Sequence, residues 1–310
     1  RAAIWRLITE SLGRPDADSR DAVRRANEPV VELLLSRVSG EPVAGPDIRE
    51  LVGQALDDEI IELRPVAGGH SRARTYLADR ASGGSVFIKA GPELDIELAV
   101  YDALDGNAFL PRRLGGRRML VLESLAPDGW VRQWTPDLID ATRALMDQVH
   151  ALPAPRGVPV LGSVTNPWDA IAADPHRLLR LDVCSEQWLV RHLETLRAAA
   201  AQAPVQGESL IHRDVRAANL WHRDGRLLLA DWAAAAIGNP WLDHHLWLVA
   251  LHAEGGPAPE VNQGPDAAGH AALIAGQQPL LTPSRDADPV LFEQRRRYLD
   301  VALSWAARLV

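Results

Sequence analysis

The chain has 310 residues, of which 47% are hydrophobic, and a formal net charge of -8 with a pI near 5.7. This length can bury a sizeable core, while the acidic balance argues against a general nucleic-acid or anionic-membrane surface, because both need a positive field. The single cysteine, Cys184, excludes an intrachain disulfide and a multi-cysteine zinc site.

Residues 1–55 have helical periods that are interrupted by GRPDADS and SGEPVAGP, and we expect an N-terminal helical extension there. The first residues, RAAIWRLITE, lack the basic, apolar, small-residue order of a signal peptide. No apolar run reaches the length of a membrane span, so a cytoplasmic protein without a membrane partner is expected. Two roles stay open for the extension, namely a homodimer contact or a cap on the next segment.

From Ile60 the hydrophobic period becomes strand-like, and glycine turns separate the runs. Five strands are predicted, at IIELRPVA, ARTYLAD, SVFIKA, FLPRRL and MLVLESL. The third and fourth flank a helical period, PELDIELAVYDAL. Residues 56–125 are therefore expected to form a small, mostly antiparallel lobe with one helix.

Residues 126–310 have mainly helical periods. Four helices are predicted, at PDLIDATRALMDQVHAL, SEQWLVRHLETLRAAAAQA, DHHLWLVALHAE and FEQRRRYLDVALSWAARLV. Between the second and third, Asp224 and Gly225 stand between two apolar runs, which indicates a two-residue hairpin turn. The chain is thus predicted to be α+β, with a larger helical lobe that contains one short hairpin.

The basic residues are 32 Arg and one Lys, Lys89, at the end of the third predicted strand. Lys is a compact point charge on a slender stem, whereas Arg is planar and forked. The lone lysine therefore indicates a position that Arg cannot fill, and chance survival is the alternative. On the following helix, Glu93 and Glu97 lie one turn apart on one face.

Polar groups are concentrated in the apolar segment LIHRDVRAANLWHRDGRLLLADW. With the turn at 224–225, the register places Asn219 beside Asp231. Asp214 lies five residues before Asn219 on the incoming loop, so three oxygen-bearing side chains converge at one end of the hairpin. Hard oxygen ligands in this arrangement suit Mg²⁺ that binds nucleotide phosphates.

The order His212-x-Asp214-x-x-x-x-Asn219, followed by Asp231 and preceded by a strand-end lysine, resembles the aminoglycoside phosphotransferase and choline kinase group. These are small-molecule relatives of the protein kinases, and the resemblance implies their bilobal fold. It covers about residues 60–310 by order of elements, while only the motifs are specific. By this likeness Asp214 would be the catalytic base, with Asn219 and Asp231 as the magnesium ligands.

The same likeness implies roles in the small lobe. Lys89 would hold the α and β phosphates of ATP or GTP, with Glu97 as its ion-pair partner and Glu93 as the alternative. The adenine would meet the backbone of the segment VLESL, at Glu123 and Leu125. The phosphates would lie under the loop VAGGHSRART, at Gly68, Gly69 and Ser71.

Further residues would support the catalytic loop. His212 is expected to bond backbone near Asp231, and Asp243 resembles the aspartate that braces this loop in the family. Arg213 departs from most small-molecule members of the family, which carry glycine at this position. Protein kinases carry arginine there, as this chain does, and the role of Arg213 stays open. Only eleven residues separate Asp231 from Asp243, which leaves no room for the activation loop of a protein kinase and disfavours that activity.

A metal hypothesis arises from His244, His245 and His252. Adjacent side chains on a helix point about 100° apart, so neighbouring histidines do not share one ion easily. We therefore favour structural roles for all three.

The resemblance implies an ATP- or GTP-dependent phosphotransferase that uses Mg²⁺ and acts on a hydroxyl of a small molecule. The favoured acceptor is an aminoglycoside or nucleoside antibiotic, for resistance or for biosynthetic tailoring. Two alternatives remain: a metabolic kinase of choline, an amino sugar or a nucleoside, and a catalytically silent kinase-like binding protein. The expected domains are the extension 1–55, an N-lobe 56–125, and a C-lobe 126–310 with the catalytic loop and acceptor site.

Overall fold

The computed structural model describes residues 48–66, 73–91 and 94–310. The chain divides into two units, Arg1–Asp57 and Asp58–Val310. The described part of the first unit is helix α1, Ile48–Leu56, followed by Asp57; the other helices predicted for the extension lie outside the described residues. The roles considered for the extension therefore stay predictions. No helix within the described ranges is long and apolar enough to cross a membrane.

The second unit starts with a five-stranded antiparallel sheet of order β1-β2-β3-β5-β4. Its strands are β1 (Ile60–Pro65), β2 (Arg74–Arg80), β3 (Ser85–Ala90), β4 (Arg113–Gly115) and β5 (Met119–Glu123). In β3 the alternate residues Val86 and Ile88 are fully buried, as expected for a strand with one face on the core. One helix, α2 (Asp95–Leu104), follows β3.

The fourth strand begins later than predicted. Phe109 and Leu110, the first residues of the predicted run, are buried in the hydrophobic core, and pairing with β5 starts only at Arg113. Their apolar character therefore reflects core packing and not strand alternation. The turn into β5 contains Gly116 at φ +89°, where an added Cβ would lie 2.3 Å from the Met119 carbonyl oxygen, so this turn needs glycine.

The rest of the unit is mainly helical. Its helices are α3 (Pro136–His150), α4 (Pro167–Ala173), α5 (His176–Leu179), α6 (Glu186–Ala201), α7 (Pro240–Ala253), α8 (Ala267–Leu281) and α9 (Pro289–Leu309). Several start with a polar side chain that accepts a backbone N–H of the first turn, often with proline at the first helical position. Examples are Thr135 before α3, Asn239 before α7 and Asp288 before α9.

Helix α8 was not among the predicted helices, because its sequence lacks an amphipathic period. It is apolar on every side, contains Pro279, and packs between α6 and α9. Its residue Gly276 lies against the Trp168 ring on α4, with an added Cβ 2.8 Å from the indole nitrogen. A helix that is buried all round has no polar stripe from which a 3.6-residue period could be read.

Two small sheets complete the unit. Their strands are β6 (Ser209–Ile211) with β9 (Ala236–Gly238), and β7 (Leu220–Arg223) with β8 (Arg226–Leu229). The β7–β8 hairpin has the predicted two-residue turn, with Asp224 and Gly225 at φ values of 52° and 74°. The Ala230 N–H donates to the Asn219 carbonyl at 2.9 Å, which continues the predicted register. The β6–β9 pair is an addition to the predicted elements.

Candidate active site

A cavity of about 400 Å³ lies between the five-stranded sheet and the β7–β8 hairpin, inside the second unit. Apolar side chains make up much of its wall, among them Val66, Leu77 and Phe87. Its polar side chains include Lys89, Glu97, Asn219 and Asp231. An apolar cavity with a few converging polar groups is the usual form of a small-ligand site.

Lys89 joins the two sides of this cavity. Its ammonium nitrogen lies 2.7 Å from Glu97 Oε2 on α2 and 2.7 Å from Asp231 Oδ1 after β8. Lys89 and Glu97 are only 6% and 2% exposed, so both charges depend on this contact. Of the two glutamates considered as partners, Glu97 makes the contact, and Glu93 lies outside the described residues.

These three groups carry more negative than positive charge. Burial opposes the charge of Lys89, but Glu97 and Asp231 outweigh it and raise the pKa of Lys89. Burial also opposes the charge of Asp231, yet Lys89 outweighs it and lowers the pKa of Asp231. The pKa of Glu97 is raised by burial, because one ammonium does not neutralise two carboxylates. The cluster therefore favours an additional cation.

Mg²⁺ fits the oxygen donors beside this cluster. The Asn219 amide nitrogen donates to the backbone oxygen and Oδ2 of Asp214, at 2.8 Å each, which leaves the Asn219 side-chain oxygen as an acceptor. Asp231 uses Oδ1 for Lys89, which leaves Oδ2. The hairpin pairing holds Asn219 and Asp231 at the same end of the strands. Mg²⁺ binds through a few such hard oxygens while keeping several waters.

Asp214 lies on the loop that leads into a short 3-10 helix, Ala217–Asn219. Its side chain is 36% exposed, and its Oδ2 accepts from Asn219 Nδ2 and, at 3.2 Å, from Arg216 Nε. Burial opposes the charge of Arg216, but Asp214 outweighs it and raises the pKa of Arg216. The result is an accessible carboxylate with a fixed orientation, which a general base requires.

His212 is fully buried, and its two ring nitrogens have different partners. Nδ1 accepts from the Asp214 backbone N–H at 3.2 Å, and Nε2 donates to the Ala230 carbonyl at 3.1 Å. Burial lowers the pKa of His212, which agrees with the neutral ring that an accepting Nδ1 requires. His212 therefore ties the Asp214 loop to Ala230, the residue before Asp231.

Asp243, at 1% exposure, holds the same loop from α7. Its Oδ2 accepts from the His212 backbone N–H at 2.8 Å and from His150 Nε2 at 3.0 Å, while Oδ1 accepts from the Arg213 backbone N–H at 2.6 Å. Burial opposes the carboxylate charge, but these donors outweigh it, His150 foremost, and lower the pKa of Asp243. His150 was not among the residues predicted for the site.

The structure gives a physical account of Arg213. Its φ of 67° lies in the left-handed region, which glycine adopts at little energetic cost and which strains residues that have a Cβ. Glycine at this place in the family's motif matches that conformation. Here the backbone N–H is held by Asp243, and the guanidinium Nη1 donates to the Ala234 carbonyl at 3.3 Å. Arg213 thus accepts backbone strain and bridges two segments of the site.

The segment VLESL also borders the cavity, through Glu123, Ser124 and Leu125. The Glu123 carboxylate is engaged elsewhere, because it accepts from the Arg112 backbone N–H at 2.9 Å and from Arg226 at 3.0 Å. The Leu125 backbone makes no backbone hydrogen bond with the described part of the chain. The Glu123 N–H also donates to the Arg112 carbonyl at 2.9 Å, so the Leu125 backbone, and not the Glu123 carboxylate or N–H, is available to a nucleobase.

The loop predicted to cover the phosphates lies outside the described residues. This applies to Gly68, Gly69 and Ser71. The residues on either side of it, Val66 and Thr75, both line the cavity and are paired by a 2.9 Å bond from the Val66 N–H to the Thr75 carbonyl. The covering role stays a prediction.

A second, smaller cavity of about 130 Å³ adjoins Asp214 and Asp231 on the side of α9. The sequence did not single out its other polar walls, which are Arg216, Gln294, Arg295 and Tyr298. Behind it, Glu254 accepts from Tyr298 through Oε1 at 3.1 Å, and from the backbone N–H of Ala217 through Oε2 at 3.0 Å. Residues 37 positions apart in the chain thus position the catalytic loop, and no local pattern reveals this.

Neither the protein-family models nor the curated protein sequences match this chain. Solved structures do match it. A spectinomycin phosphotransferase in complex with ADP and spectinomycin has a TM-score of 0.54 at 14% identity, over 86% of this chain and 99% of that chain. An aminoglycoside phosphotransferase in ternary complex with AMP-PNP and hygromycin B has a TM-score of 0.54 at 17% identity, over 85% and 99%.

A candidate fructosamine-3-kinase from Thermobifida fusca YX-ER1 matches similarly, with a TM-score of 0.53 at 18% identity, over 84% of this chain and 99% of that chain. The chain has the protein kinase-like fold of these small-molecule kinases. The predicted α+β fold class and its likeness to the aminoglycoside phosphotransferases are thereby confirmed. At identities of 14–18% the likeness concerns the phosphotransferase fold alone.

Proposed function

We propose that this protein transfers the γ-phosphoryl group of ATP or GTP to a hydroxyl of a small molecule. One observation carries the proposal: a buried ammonium, Lys89, bridges Glu97 and Asp231 at the cavity that Asn219 also lines. Burying the charges of Lys89 and Glu97 is costly, which suggests that the ion pair serves to hold a ligand. The nucleotide complexes among the structural neighbours support the same donor.

The residues have separate tasks in this proposal. Lys89 would hold phosphate oxygens of the nucleotide, and the Glu123 carbonyl and the Leu125 backbone would bind its nucleobase. Asn219 and Asp231 would hold Mg²⁺, which supplies charge neutralisation for the phosphates when bound. Positioning and electrostatics provide most of the rate in phosphoryl transfer, so the fixed geometry of these groups is itself the catalytic device.

Asp214 would orient the acceptor hydroxyl and take its proton. Asn219 and Arg216 hold Oδ2, and the second carboxylate oxygen is the one that would meet the hydroxyl. His212 and Asp243 would keep the loop in this conformation through the Asp214 and Arg213 backbone N–H groups. A base held in this way raises the rate by about 10²–10⁴-fold.

The charges near Asp214 bear on the acceptor. Two arginines, Arg216 and Arg295, line the smaller cavity, while its carboxylates Asp214 and Asp231 are assigned to the base and the metal. Among the described residues that line it, none offers a further carboxylate for a polycation. We therefore favour a neutral or anionic acceptor, such as a nucleoside antibiotic, over a highly cationic aminoglycoside, and a metabolic nucleoside kinase remains the second candidate.

The test is a screen of purified protein with Mg²⁺ and ATP or GTP against nucleosides, aminoglycosides, macrolides and peptide antibiotics, read by mass spectrometry for an added phosphoryl group. Asp214→Asn should lower kcat by about 10²–10⁴-fold and leave nucleotide affinity nearly unchanged. Asp300→Asn, on the exposed face of α9, is the matched control. Turnover by Asp214→Asn equal to that of the control would contradict the base assignment.

The silent-binder alternative predicts a different result. Such a protein would bind nucleotide but show no hydrolysis or transfer with any acceptor, and Asp214→Asn would change nothing. The network around Asp214 disfavours this outcome, because Asn219, Arg216 and His212 all contact it. Acceptor-stimulated nucleotide hydrolysis in the wild type separates the two hypotheses.

A further inference from the structure

A second cluster of potential ligands lies where α3 meets α7, outside the nucleotide cavity. Asp147, His150 and His244 each offer one ligand atom, and these atoms lie within 4.8 Å of one another. The two imidazole rings contact edge to face, with centroids 5.2 Å apart. The proposed phosphoryl transfer uses His150 only to support Asp243 and gives the other two no role.

The hydrogen bonds of His150 prepare it as a ligand. Its Nε2 donates to the buried carboxylate of Asp243 at 3.0 Å, which leaves Nδ1 with a lone pair. A histidine that binds a metal usually donates its other ring N–H to such a carboxylate, which fixes the tautomer and raises the basicity of the ligand nitrogen. Asp243 is a fourth residue outside the cluster, and its contact with His150 points to the same use.

His244 is also suited to bind a metal. Its Nε2 lies 3.2 Å from Asp147 Oδ1, so these two potential ligand atoms already lie at a distance that one ion could span. Its neighbour His245 points elsewhere, to His270 and the Gln263 carbonyl. The neighbours of His244 in the cluster, Asp147 and His150, come from another helix, so a site here departs from the purely structural role expected for His244.

We propose that Asp147, His150 and His244 form a binding site for a divalent transition metal such as Zn²⁺. Two imidazoles and a carboxylate are a donor set that suits Zn²⁺ and not Mg²⁺, which prefers oxygen. Three donors around one ion would be about 3.4 Å apart. Asp147 Oδ1 and His244 Nε2, at 3.2 Å, already have about this separation.

The surroundings provide access and a further open position. All three residues line a cleft of about 590 Å³, with Trp241 and Arg143 among its other walls. A three-ligand zinc site keeps at least one position for water or another ligand, and this cleft supplies the space for it.

The site would be linked to the catalytic loop. A metal on His150 Nδ1 would strengthen the Nε2 bond to Asp243, which in turn holds the backbone N–H groups of His212 and Arg213. Because a ligand that binds only the folded state stabilises it, Zn²⁺ should raise the unfolding temperature of the wild type.

The test is a titration of the full chain with Zn²⁺ by calorimetry and with Co²⁺ by visible absorption, both in excess Mg²⁺ so that the nucleotide site is occupied. We expect one tight equivalent and a Co²⁺ spectrum with nitrogen ligands. Asp147→Asn and His244→Ala should weaken this binding by at least about 10-fold. His252→Ala, an exposed histidine on the same helix, is the control and should bind as the wild type does.

Asp147→Asn keeps the test decisive if His244→Ala unfolds, because the Asp147 side chain is 65% exposed and its loss should not disturb the core. Equal Zn²⁺ affinity and equal Co²⁺ spectra in wild type and Asp147→Asn would overturn the proposal. So would an absence of Zn²⁺-dependent stabilisation in the wild type. Neither result depends on the phosphotransferase assignment, because no readout is an activity.

Discussion

Replacing Lys89 by methionine removes the ammonium and keeps a similar side-chain length. Both carboxylates then lose the Lys89 ammonium. Glu97 is only 2% exposed and cannot be solvated instead, whereas the Asp231 side chain is 38% exposed to water. Removing one partner of a buried ion pair costs about 3–5 kcal/mol, and we expect this loss for Lys89→Met in urea unfolding.

The buried Glu97 charge, and not the lost packing, is the source of this loss. Lys89→Met/Glu97→Gln should therefore be more stable than Lys89→Met by about 0.5–3 kcal/mol, the range measured for coupled neighbours. The matched control is Lys89→Met/Glu62→Gln, in which the second change lies on the exposed side of β1. This double variant should be no more stable than Lys89→Met. Additive losses in Lys89→Met/Glu97→Gln would refute the reasoning.

The pH dependence has a defined sign. Burial raises the folded pKa of Glu97 above its unfolded value, and removing Lys89 takes away the main opposing influence. A carboxyl with a raised folded pKa gives stability that is present below the unfolded pKa and is lost as pH rises through the folded pKa. The stability deficit of Lys89→Met should therefore shrink as pH falls towards the unfolded pKa of a glutamate, about 4.3, and a constant deficit would contradict the assignment.

Three other predictions concern residues around the site. Arg213→Gly should change the free energy of unfolding by less than about 1 kcal/mol, because the relief of backbone strain at φ 67° offsets the lost hydrogen bond to Ala234. Arg213→Val keeps the strain and should lower the free energy of unfolding by about 1–2 kcal/mol. Equal urea midpoints for the two variants would contradict this prediction. Gly129→Ala should lower stability by about 1–3 kcal/mol in thermal unfolding, since the new Cβ would lie 2.2 Å from the Trp221 indole nitrogen. Glu254→Gln should lower kcat and the free energy of unfolding together, because an amide has one acceptor oxygen whereas Glu254 accepts through both of its oxygens. Glu208→Gln, on the surface, is the control. An unchanged kcat in Glu254→Gln would show that the contact with Ala217 is dispensable.

Local patterns were sufficient for the hairpin that carries the proposed metal ligands. The two-residue turn at Asp224 and Gly225 fixes the register without help from the rest of the chain, because both residues take positive φ readily in this turn type. From that register alone Asn219 and Asp231 could be placed side by side. The pairing of Lys89 was implied by the family resemblance, with Glu97 as the partner and Glu93, one helical turn away, as the alternative; the structure brings Glu97 to Lys89.

Burial and long-range pairing hid other elements. Helix α8 is apolar on all sides, so no period of 3.6 residues separates it from a loop rich in alanine and glycine. The β6–β9 pair joins two three-residue strands that are far apart in sequence, and such short runs carry no alternation. In both cases the tertiary environment decides the structure, and the local sequence does not contain that information.

The same principle applies to the backbone conformations in the site, which the sequence did not predict. Arg213 and Asp231 both have φ values in the left-handed region, at 67° and 64°, although neither is glycine. Each conformation is held from a distance: Asp243 binds the Arg213 N–H, and Glu97 accepts from the Trp232 N–H at 3.3 Å, next to Asp231. Strain of about 1–3 kcal/mol persists only where surrounding contacts impose it. The backbone at the proposed catalytic groups is thus held by carboxylates on two other helices, and the proposed metal between α3 and α7 would act on the site through one of those carboxylates, Asp243.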